Sequence, residues 1–486
     1  MKSAGENKIK FGTDGWRGII AKDFTFENVS RVAQAVADYY KSTSNWPKGL
    51  AVGYDTRFLS SEFATLMAEV LSGNQIPVIL SHSDVPTQCI SFTVKRRKLA
   101  GGIMITASHN PPHFNGIKIK ASFGGSAPPE ITGQIESCLD IHPVKRMSLK
   151  KAYEKKLVQR ENFLLPYITA VKSFLNLDLA RKASLRIVYD PMYGVGSGLP
   201  QRILSSSNCQ ITEIHSKYNP GFGGVNPEPI EENLGELKDE VCRRGADLGI
   251  ATDGDSDRMG LVDNQGRYFT PHQVFSLILL YLIEDRQIKG GIAKTVSLGY
   301  QPERIAREYH LPLEEVPVGF KYICDKMLRA NVIIGGEESG GYGYRDFVMD
   351  RDGLLFSLLF VEMITRKKML LSKILSEMES RFGQSFFKRV DFKEEGINKE
   401  KMMETLSSSP PSSLGGIPLK ELKTIDGIKL ILDDGSWLLI RPSGTEPKVR
   451  VYAEAPNPYL LGKIIEEGIS MARQAIQSSR KTFPEE

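Results

Sequence analysis

Short apolar stretches of strand type alternate along this chain with amphipathic stretches of helix type, and each apolar stretch runs into a polar turn. Residues 50–54 (LAVGY) lead into the turn 55–57, and 101–106 (GGIMIT) into 107–112 (ASHNPP). Residues 185–189 (LRIVY) end at Asp190, 247–252 (DLGIAT) at Asp253, and 332–334 in the loop 335–341 (GGEESGG). Helical patterns such as 26–41 and 231–244 lie between them. Alternation of this kind predicts an α/β fold with largely parallel sheets. In open α/β sheets ligand sites collect beyond the carboxyl ends of the strands, so every one of these turns is a site candidate.

The chain has 486 residues, more than one core supports, and three or four domains are expected. Soft boundaries fall near the lysine-rich stretch 144–161, read as helical, near 265–271 and near 381–383. Residues 407–416 (SSSPPSSLGG) read as loop. Short strands at 427–432 and 436–440 and a helix over 459–478 then predict a small α+β domain. With 41% hydrophobic and 25% charged residues, the composition excludes a disordered or fibrous chain. The longest apolar run, 274–283 (VFSLILLYLI), is too short to cross a bilayer. The first residues show no secretory pattern. A net charge of +5, from 63 basic and 58 acidic residues, leaves no footprint for nucleic acid. The basic runs 95–98 (KRRK) and 366–368 (RKK) read as solvated helix ends. The five cysteines lie far apart and form no CxxC pair, which indicates a reducing cytoplasm and neither a disulfide framework nor a zinc site.

The most informative segment is 252–258, TDGDSDR. Asp253, Asp255 and Asp257 alternate, and on an extended loop alternate side chains project to one side. Three carboxylates on one side repel unless a cation lies between them, and oxygen ligands suit Mg²⁺ or Ca²⁺. An EF-hand is excluded, because its sixth position would be Arg258 instead of glycine and its twelfth Asn264 instead of glutamate. In 106–112 (TASHNPP) Ser108 follows a strand beside small residues and prolines, so its hydroxyl is expected to be exposed on a rigid turn, with His109 and Lys118 as nearby bases. No G-x-S-x-G elbow surrounds it, which speaks against a hydrolase triad. Composition leaves Ser108 open between turn residue and nucleophile.

In 441–450 (RPSGTEPKVR), Ser443, Gly444 and Thr445 form a bendable turn whose N–H groups make an anion nest. Arg441, Lys448 and Arg450 add positive charge suited to a phosphate. In 335–341, glycines surround Glu337, Glu338 and Ser339, a set that suits sugar hydroxyls and equally a solvated turn. The glycine-rich stretch 194–198 (GVGSG) is not a dinucleotide fingerprint, since Leu199 stands where the last glycine belongs.

Together the segments 11–18 (FGTDGWRG), 106–112 (TASHNPP), 253–258 (DGDSDR), 336–340 (GEESG) and 441–447 (RPSGTEP) resemble, in this order along the whole chain, the α-D-phosphohexomutase family of phosphoglucomutases and phosphomannomutases. The resemblance implies four domains around a central cleft. Three are similar α/β mixed-sheet domains (1–155, 156–268 and 269–382), followed by a smaller C-terminal α+β domain (383–486). It implies that Ser108 is the serine phosphorylated in the active enzyme, and that Ser108, Asp253, Asp255 and Asp257 surround one Mg²⁺. Arg17 and Arg258 would lie near that phosphate. Glu337 and Ser339 would hold sugar hydroxyls, and Arg441, Ser443, Gly444, Thr445 and Arg450 would cradle the substrate's existing phosphate. His109, Lys118 and Lys321 occupy positions suggested for proton transfer. Arg351 would be a basic substrate contact of glucose-preferring members. Two departures stand out: Val316 replaces a usual threonine or serine, and Gly341 stands where mannose- and glucosamine-phosphate mutases often carry histidine.

The implied function is an isomerase that interconverts hexose 1-phosphate and hexose 6-phosphate, glucose favoured and mannose plausible. It would act through a phosphoserine and a hexose 1,6-bisphosphate, which also serves as activator, with the last domain closing as a lid. The alternatives are a phosphoglucosamine mutase, a phosphatase, or a non-catalytic sugar-phosphate-binding protein on the same scaffold. A small-molecule sugar phosphate is the expected partner, with no nucleic acid and no membrane, in a cytoplasmic monomer or dimer.

Overall fold

A computed structural model describes residues 9–12, 14–393, 398–442 and 448–480. The chain divides into two compact units. One comprises Met1–Phe269, Gly319–Gly335 and Ser339–Ser372, the other Thr270–Val318, Gly336–Glu338 and Lys373–Glu486. The stretch 269–382, expected as one domain, is thus shared between them.

The first unit opens with six strands: β1 (Trp16–Ile19), β2 (Leu50–Tyr54), β3 (Val78–Ser81), β4 (Gly101–Ile105), β5 (Phe114–Ala121) and β6 (Val158–Glu161). They form one mixed sheet in the order β1-β5-β4-β2-β3-β6. β4, β2, β3 and β6 run parallel, while β5 is antiparallel to both β4 and β1. β3 and β4 are buried along their whole length, which is why they read as unbroken apolar runs. Because β2 and β4 are parallel neighbours, the turns 55–57 and 106–112 leave the sheet at the same edge. The lysine-rich stretch is not one helix. A short helix, Leu149–Glu154, is followed by β6, which pairs with β3, so the first sheet continues past the expected limit at 155.

The second sheet contains β7 (Arg186–Asp190), β8 (Gln210–Glu213), β9 (Leu248–Thr252), β10 (Met259–Asp263) and β11 (Tyr268–Phe269), in the order β11-β10-β9-β7-β8. β7 is parallel to β8 and β9. β10 returns antiparallel to β9, with Met259 opposite Thr252, so residues 253–258 form a hairpin loop. The helix Gly353–Lys367 packs on β9 and β10. Both basic runs end helices, with Lys98 and Lys368 in left-handed conformations. Lys95 departs from the solvated reading, since its Nζ donates to the carbonyls of Arg345, Asp346 and Phe347 at 3.0–3.2 Å.

In the second unit, β12 (Gly291–Thr295) pairs in parallel with β13 (Leu313–Val316). β14 (Val332–Gly336) and β15 (Tyr342–Tyr344), which belong to the first unit apart from Gly336, bracket the GGEESGG loop. The last six strands are β16 (Phe386–Lys393), β17 (Ser413–Leu414), β18 (Ile417–Lys423), β19 (Ile428–Leu432), β20 (Trp437–Pro442) and β21 (Lys448–Ala455). They form an antiparallel sheet in the order β16-β21-β20-β19-β18-β17, covered by the helix Pro458–Arg480. Within this unit the sheet is bound to segment 270–318 by buried charge. Glu454 accepts from Tyr300 N (2.9 Å) and Trp437 Nε1 (2.6 Å), and Lys429 Nζ donates to Glu315 and to the Val296 carbonyl, both at 2.7 Å. Among the described residues no helix is long and apolar enough to cross a bilayer.

One buried carboxyl ties three parts of the first unit. Asp352 accepts from Leu355 N (2.9 Å), capping its helix, and also from Tyr167 Oη (2.7 Å) and Gln88 Nε2 (3.2 Å). Burial, aided by Asp350, raises its pKa from 3.8 to about 7. The folded state therefore keeps the Asp352 proton between about pH 4 and 7 where the unfolded chain has lost it. Stability falls as pH rises through that window, by at most about 4 kcal/mol. Asp352→Asn should flatten this fall, seen as a smaller difference in thermal midpoint between pH 5 and pH 8 than in the unaltered protein.

Candidate active site

The loop between β9 and β10 is a tight turn and not the extended ladder that alternation suggested. Ser256 N donates to the Asp253 carbonyl at 2.9 Å, with Ser256 at φ 63°. This folds Asp253, Asp255 and Asp257 toward one another until one oxygen of each lies within 4.8 Å of the others. All three are fully buried. Gly254 is required here: a Cβ would lie 2.8 Å from the Ser108 carbonyl oxygen.

The outer oxygens of the triad are held by cations. Lys118 Nζ, from β5, lies 2.8 Å from both Asp255 Oδ2 and Asp257 Oδ2. Arg351 Nη2 donates to Asp257 Oδ2 at 2.8 Å. The inner oxygens, Asp255 Oδ1 and Asp257 Oδ1, are buried without a hydrogen-bond partner. Burial, then the charges of Asp255 and Asp257, push the Asp253 pKa well up. Burial would also raise Asp255, but Lys118 outweighs it and holds that carboxyl below the usual range. Three clustered, buried carboxylates, two of them with an oxygen that has no hydrogen-bond partner, are the donor set a hard divalent cation takes, so the residues fit Mg²⁺.

Ser108 follows β4. Its hydroxyl is buried, not exposed as the sequence suggested, because it donates to Asp253 Oδ2 at 2.7 Å. The residue is left-handed at φ 54°, a strained choice for a side chain with a Cβ. Its N–H donates to Thr106 Oγ1 at 2.8 Å. The turn is organised by Arg57, which donates to the carbonyls of Ser108 and Asn110 at 2.6 Å, Pro111 at 2.9 Å and Phe114 at 3.0 Å. Arg57 is itself fully buried and paired with Asp55 at 3.4 Å. His109 next to Ser108 has its pKa lowered well below 6.5 by burial and by the surrounding Arg258, Arg17, Lys118 and Arg351, so it is a neutral imidazole with Nδ1 unpartnered. Lys118 is the opposite case. Burial opposes its charge, but Asp14, Asp255 and Asp257 outweigh it and raise its pKa.

Asp14 closes the network. Its carboxylate meets Arg351 at 2.5 Å, Lys118 at 3.0 Å and Arg17 at 3.6 Å. Arg17 also donates to Asn110 Oδ1. Arg258 lies 3.5 Å from Glu228 and 4.0 Å from Asp257. Lys321 has its pKa lowered by burial. Ser339 Oγ is buried and without a hydrogen-bond partner. Arg351, expected to reach substrate, is nearly buried against Asp14 and Asp257.

In the second unit Glu337 is buried, and its neighbour Glu338 accepts from Ser297 at 2.5 Å. Arg441 and Arg450 face each other across β20 and β21, paired with Asp426 at 2.8 Å and Asp391 at 3.6 Å. Ser443, Gly444 and Thr445, which follow Arg441 in sequence, lie outside the described residues.

Comparison with known proteins identifies this arrangement. Residues 8–142, 165–266 and 270–382 match in turn the three alpha/beta/alpha domains of phosphoglucomutase/phosphomannomutase, and 390–469 match its C-terminal domain. The chain belongs to the phosphoglucomutase/phosphomannomutase family. As a member of that family it is an isomerase. It is 29% identical to a phosphoglucomutase/phosphomannomutase of Thermococcus kodakarensis, over 96% of this chain and 99% of that protein. It is 31% identical to a Methanothermobacter thermautotrophicus protein assigned as a phosphoglucosamine mutase, over 91% and 93%. A Thermus thermophilus crystal structure assigned as a phosphomannomutase superposes with a TM-score of 0.84 at 32% identity, covering 96% of this chain and 99% of that one.

Motif reading of the phosphohexomutase chain missed Arg57 and Asp14. Arg57 had a weak signal, a polar turn after a buried strand at the same edge as Ser108. Asp14 lay inside the FGTDGWRG segment without a stated role. The left-handed backbone at Ser108 has a measurable consequence. Ser108→Gly and Ser108→Ala both delete the hydroxyl bonded to Asp253, but only glycine relieves the strain. Ser108→Gly should therefore be more stable than Ser108→Ala by about 1 kcal/mol, read from their thermal unfolding.

Proposed function

We propose that this phosphohexomutase interconverts hexose 1-phosphates and 6-phosphates by passing a phosphoryl group to and from Ser108. The observation that carries the reading is the Ser108 hydroxyl bonded to Asp253 at the rim of the buried carboxylate triad. When bound there, Mg²⁺ supplies charge neutralisation at the transferring phosphoryl group, one ion per chain, held by Asp253, Asp255, Asp257 and the Ser108 oxygen.

The residues divide the remaining work. The P–O bond to Ser108 breaks and a bond forms to the free sugar hydroxyl, whose proton passes to a base. His109 suits that task better than Lys118, because it is neutral while Lys118 is held as an ammonium by three carboxylates. Lys321 remains a second candidate. Arg17 and Arg258 balance charge around the phosphoserine. Glu337 and Ser339 receive sugar hydroxyls, and Arg441, Ser443, Gly444, Thr445 and Arg450 grip the phosphate that does not react. The resulting 1,6-bisphosphate turns round and returns its other phosphate to Ser108 Oγ. Added bisphosphate activates by priming the same serine.

Two sugar classes compete. Relatives carry the names phosphoglucomutase and phosphoglucosamine mutase alike. Gly341 supports glucose phosphate, and Arg351 bears on the choice only through the space it takes beside residue 341, since its guanidinium is held by Asp14 and Asp257. A Cβ on residue 341 would lie 2.2 Å from Arg351 Cδ, so histidine there is incompatible with Arg351 in its present position. The deciding assay supplies the 1-phosphates of glucose, mannose and glucosamine with Mg²⁺ and trace bisphosphate. Glucose 6-phosphate should form fastest, and faster formation of glucosamine 6-phosphate would select the alternative. Ser108→Ala should form no 6-phosphate from any of them. Free phosphate without isomer would mark a phosphatase, and binding without turnover a sensor.

The cradle gives an independent check. Arg441→Ala should raise KM for sugar phosphate by about 10-fold or more and lower kcat less, the pattern of lost ground-state binding. An unchanged KM would remove Arg441 from the substrate site.

A further inference from the structure

The triad's two outer oxygens are fixed in the same way. Asp257 Oδ2 accepts from Lys118 and Arg351. Asp255 Oδ2 accepts from Lys118 at 2.8 Å and, at 2.6 Å, from the hydroxyl of Thr87. Thr87 is the first residue of the helix Thr87–Arg97, which crosses from β3 to β4, far in sequence from the carboxylate loop that it touches. It is fully buried. Its N–H also donates to the Asp255 carbonyl at 3.1 Å, and Gln88 Nε2 donates to the Ser256 carbonyl at 3.0 Å. The start of this helix thus grips the metal loop at three points, two on backbone carbonyls and one on a carboxylate oxygen.

We infer that Thr87 is a positioning residue for the cation site, whose hydroxyl holds Asp255 so that only Oδ1 is presented to the ion. A carboxylate can turn about its Cβ–Cγ bond and offer either oxygen or both. With Lys118 alone on Oδ2, Asp255 can swing toward the ammonium, which Asp257 and Asp14 also share. The Thr87 hydroxyl approaches the same oxygen from the neighbouring domain and removes that freedom. Hydrogen-bond partners of metal-binding carboxylates commonly change metal affinity 10–100-fold when removed. Threonine serves here because its hydroxyl donates one hydrogen bond without adding charge to a crowded site.

The test uses the full chain without phosphate on Ser108 and Mn²⁺ as the probe, with free ion measured by its electron paramagnetic resonance signal. Thr87→Val keeps the shape and removes the donor. It should weaken Mn²⁺ binding about 10-fold, and the Mg²⁺ concentration for half-maximal activity should rise by the same factor. Thr87→Ser keeps the donor and should bind Mn²⁺ within about twofold of the unaltered protein. Wild-type Mn²⁺ affinity in Thr87→Val overturns the proposal. So does equal weakening in Thr87→Ser, or a Thr87→Val chain that does not fold, since either makes packing the better account. The inference rests on the triad being a divalent-cation site. Asp255→Ala tests that separately, because normal Mn²⁺ binding by that variant would sink the reading of the site itself, whereas normal binding by Thr87→Val sinks only the part given to Thr87.

Discussion

Buried charge is the constraint on which the rest of this structure depends. Asp14, Asp253, Asp255 and Asp257 are gathered against Lys118, Arg351, Arg17 and Arg258, most of them with little or no exposure. An isolated charge in such surroundings is prohibitively costly, and a partnered one is tolerated only in good geometry with its remaining hydrogen bonds satisfied. The geometry must therefore be over-determined, and three segments distant in sequence do this. β5 brings Lys118, the β9–β10 hairpin brings the carboxylates, and the approach to the helix Gly353–Lys367 brings Arg351. Left-handed Ser108 and Ser256 and the absent side chain of Gly254 are local concessions to that convergence.

The same arrangement prepares the site for phosphoryl transfer, where positioning and charge do nearly all the work. Cations hold Oδ2 of Asp255 and Asp257, and Oδ1 of each is buried without a hydrogen-bond partner. The Ser108 oxygen joins the triad through Asp253. Arg57 makes the neighbourhood rigid by collecting four carbonyls of one short turn on a single guanidinium. Little reorganisation is then left for the moment of reaction.

The second unit uses buried charge for a different end. Glu454 and the pairs of Lys429 and Lys294 with Glu315 join the last sheet to segment 270–318. Breaking one partner of such a set leaves the other buried and alone, which makes the joint stiff. Arg441 and Arg450 are mounted on the same sheet, paired with Asp426 and Asp391.

Much of the site was legible in one dimension. Strand-type runs ending in polar turns announced the layered fold, because parallel strands buried on both faces must be apolar throughout and must stop where the chain meets water. Asp253, Asp255 and Asp257 announced a clustered acidic triad, because like charges that close need a cation. What local sequence could not carry was partnership across distance. That Ser108 is bonded to Asp253, that Arg57 folds its turn, that Arg351 turns to Asp257 and Thr87 to Asp255, follow only from bringing residues more than fifty positions apart into contact. Such contacts leave no periodicity, since each is made by a single side chain and does not repeat along its element. The chemistry of this protein is thus written in its residue types, and its geometry is decided by the tertiary fold, because a buried charge accepts only the partners that the packing of other segments delivers to it.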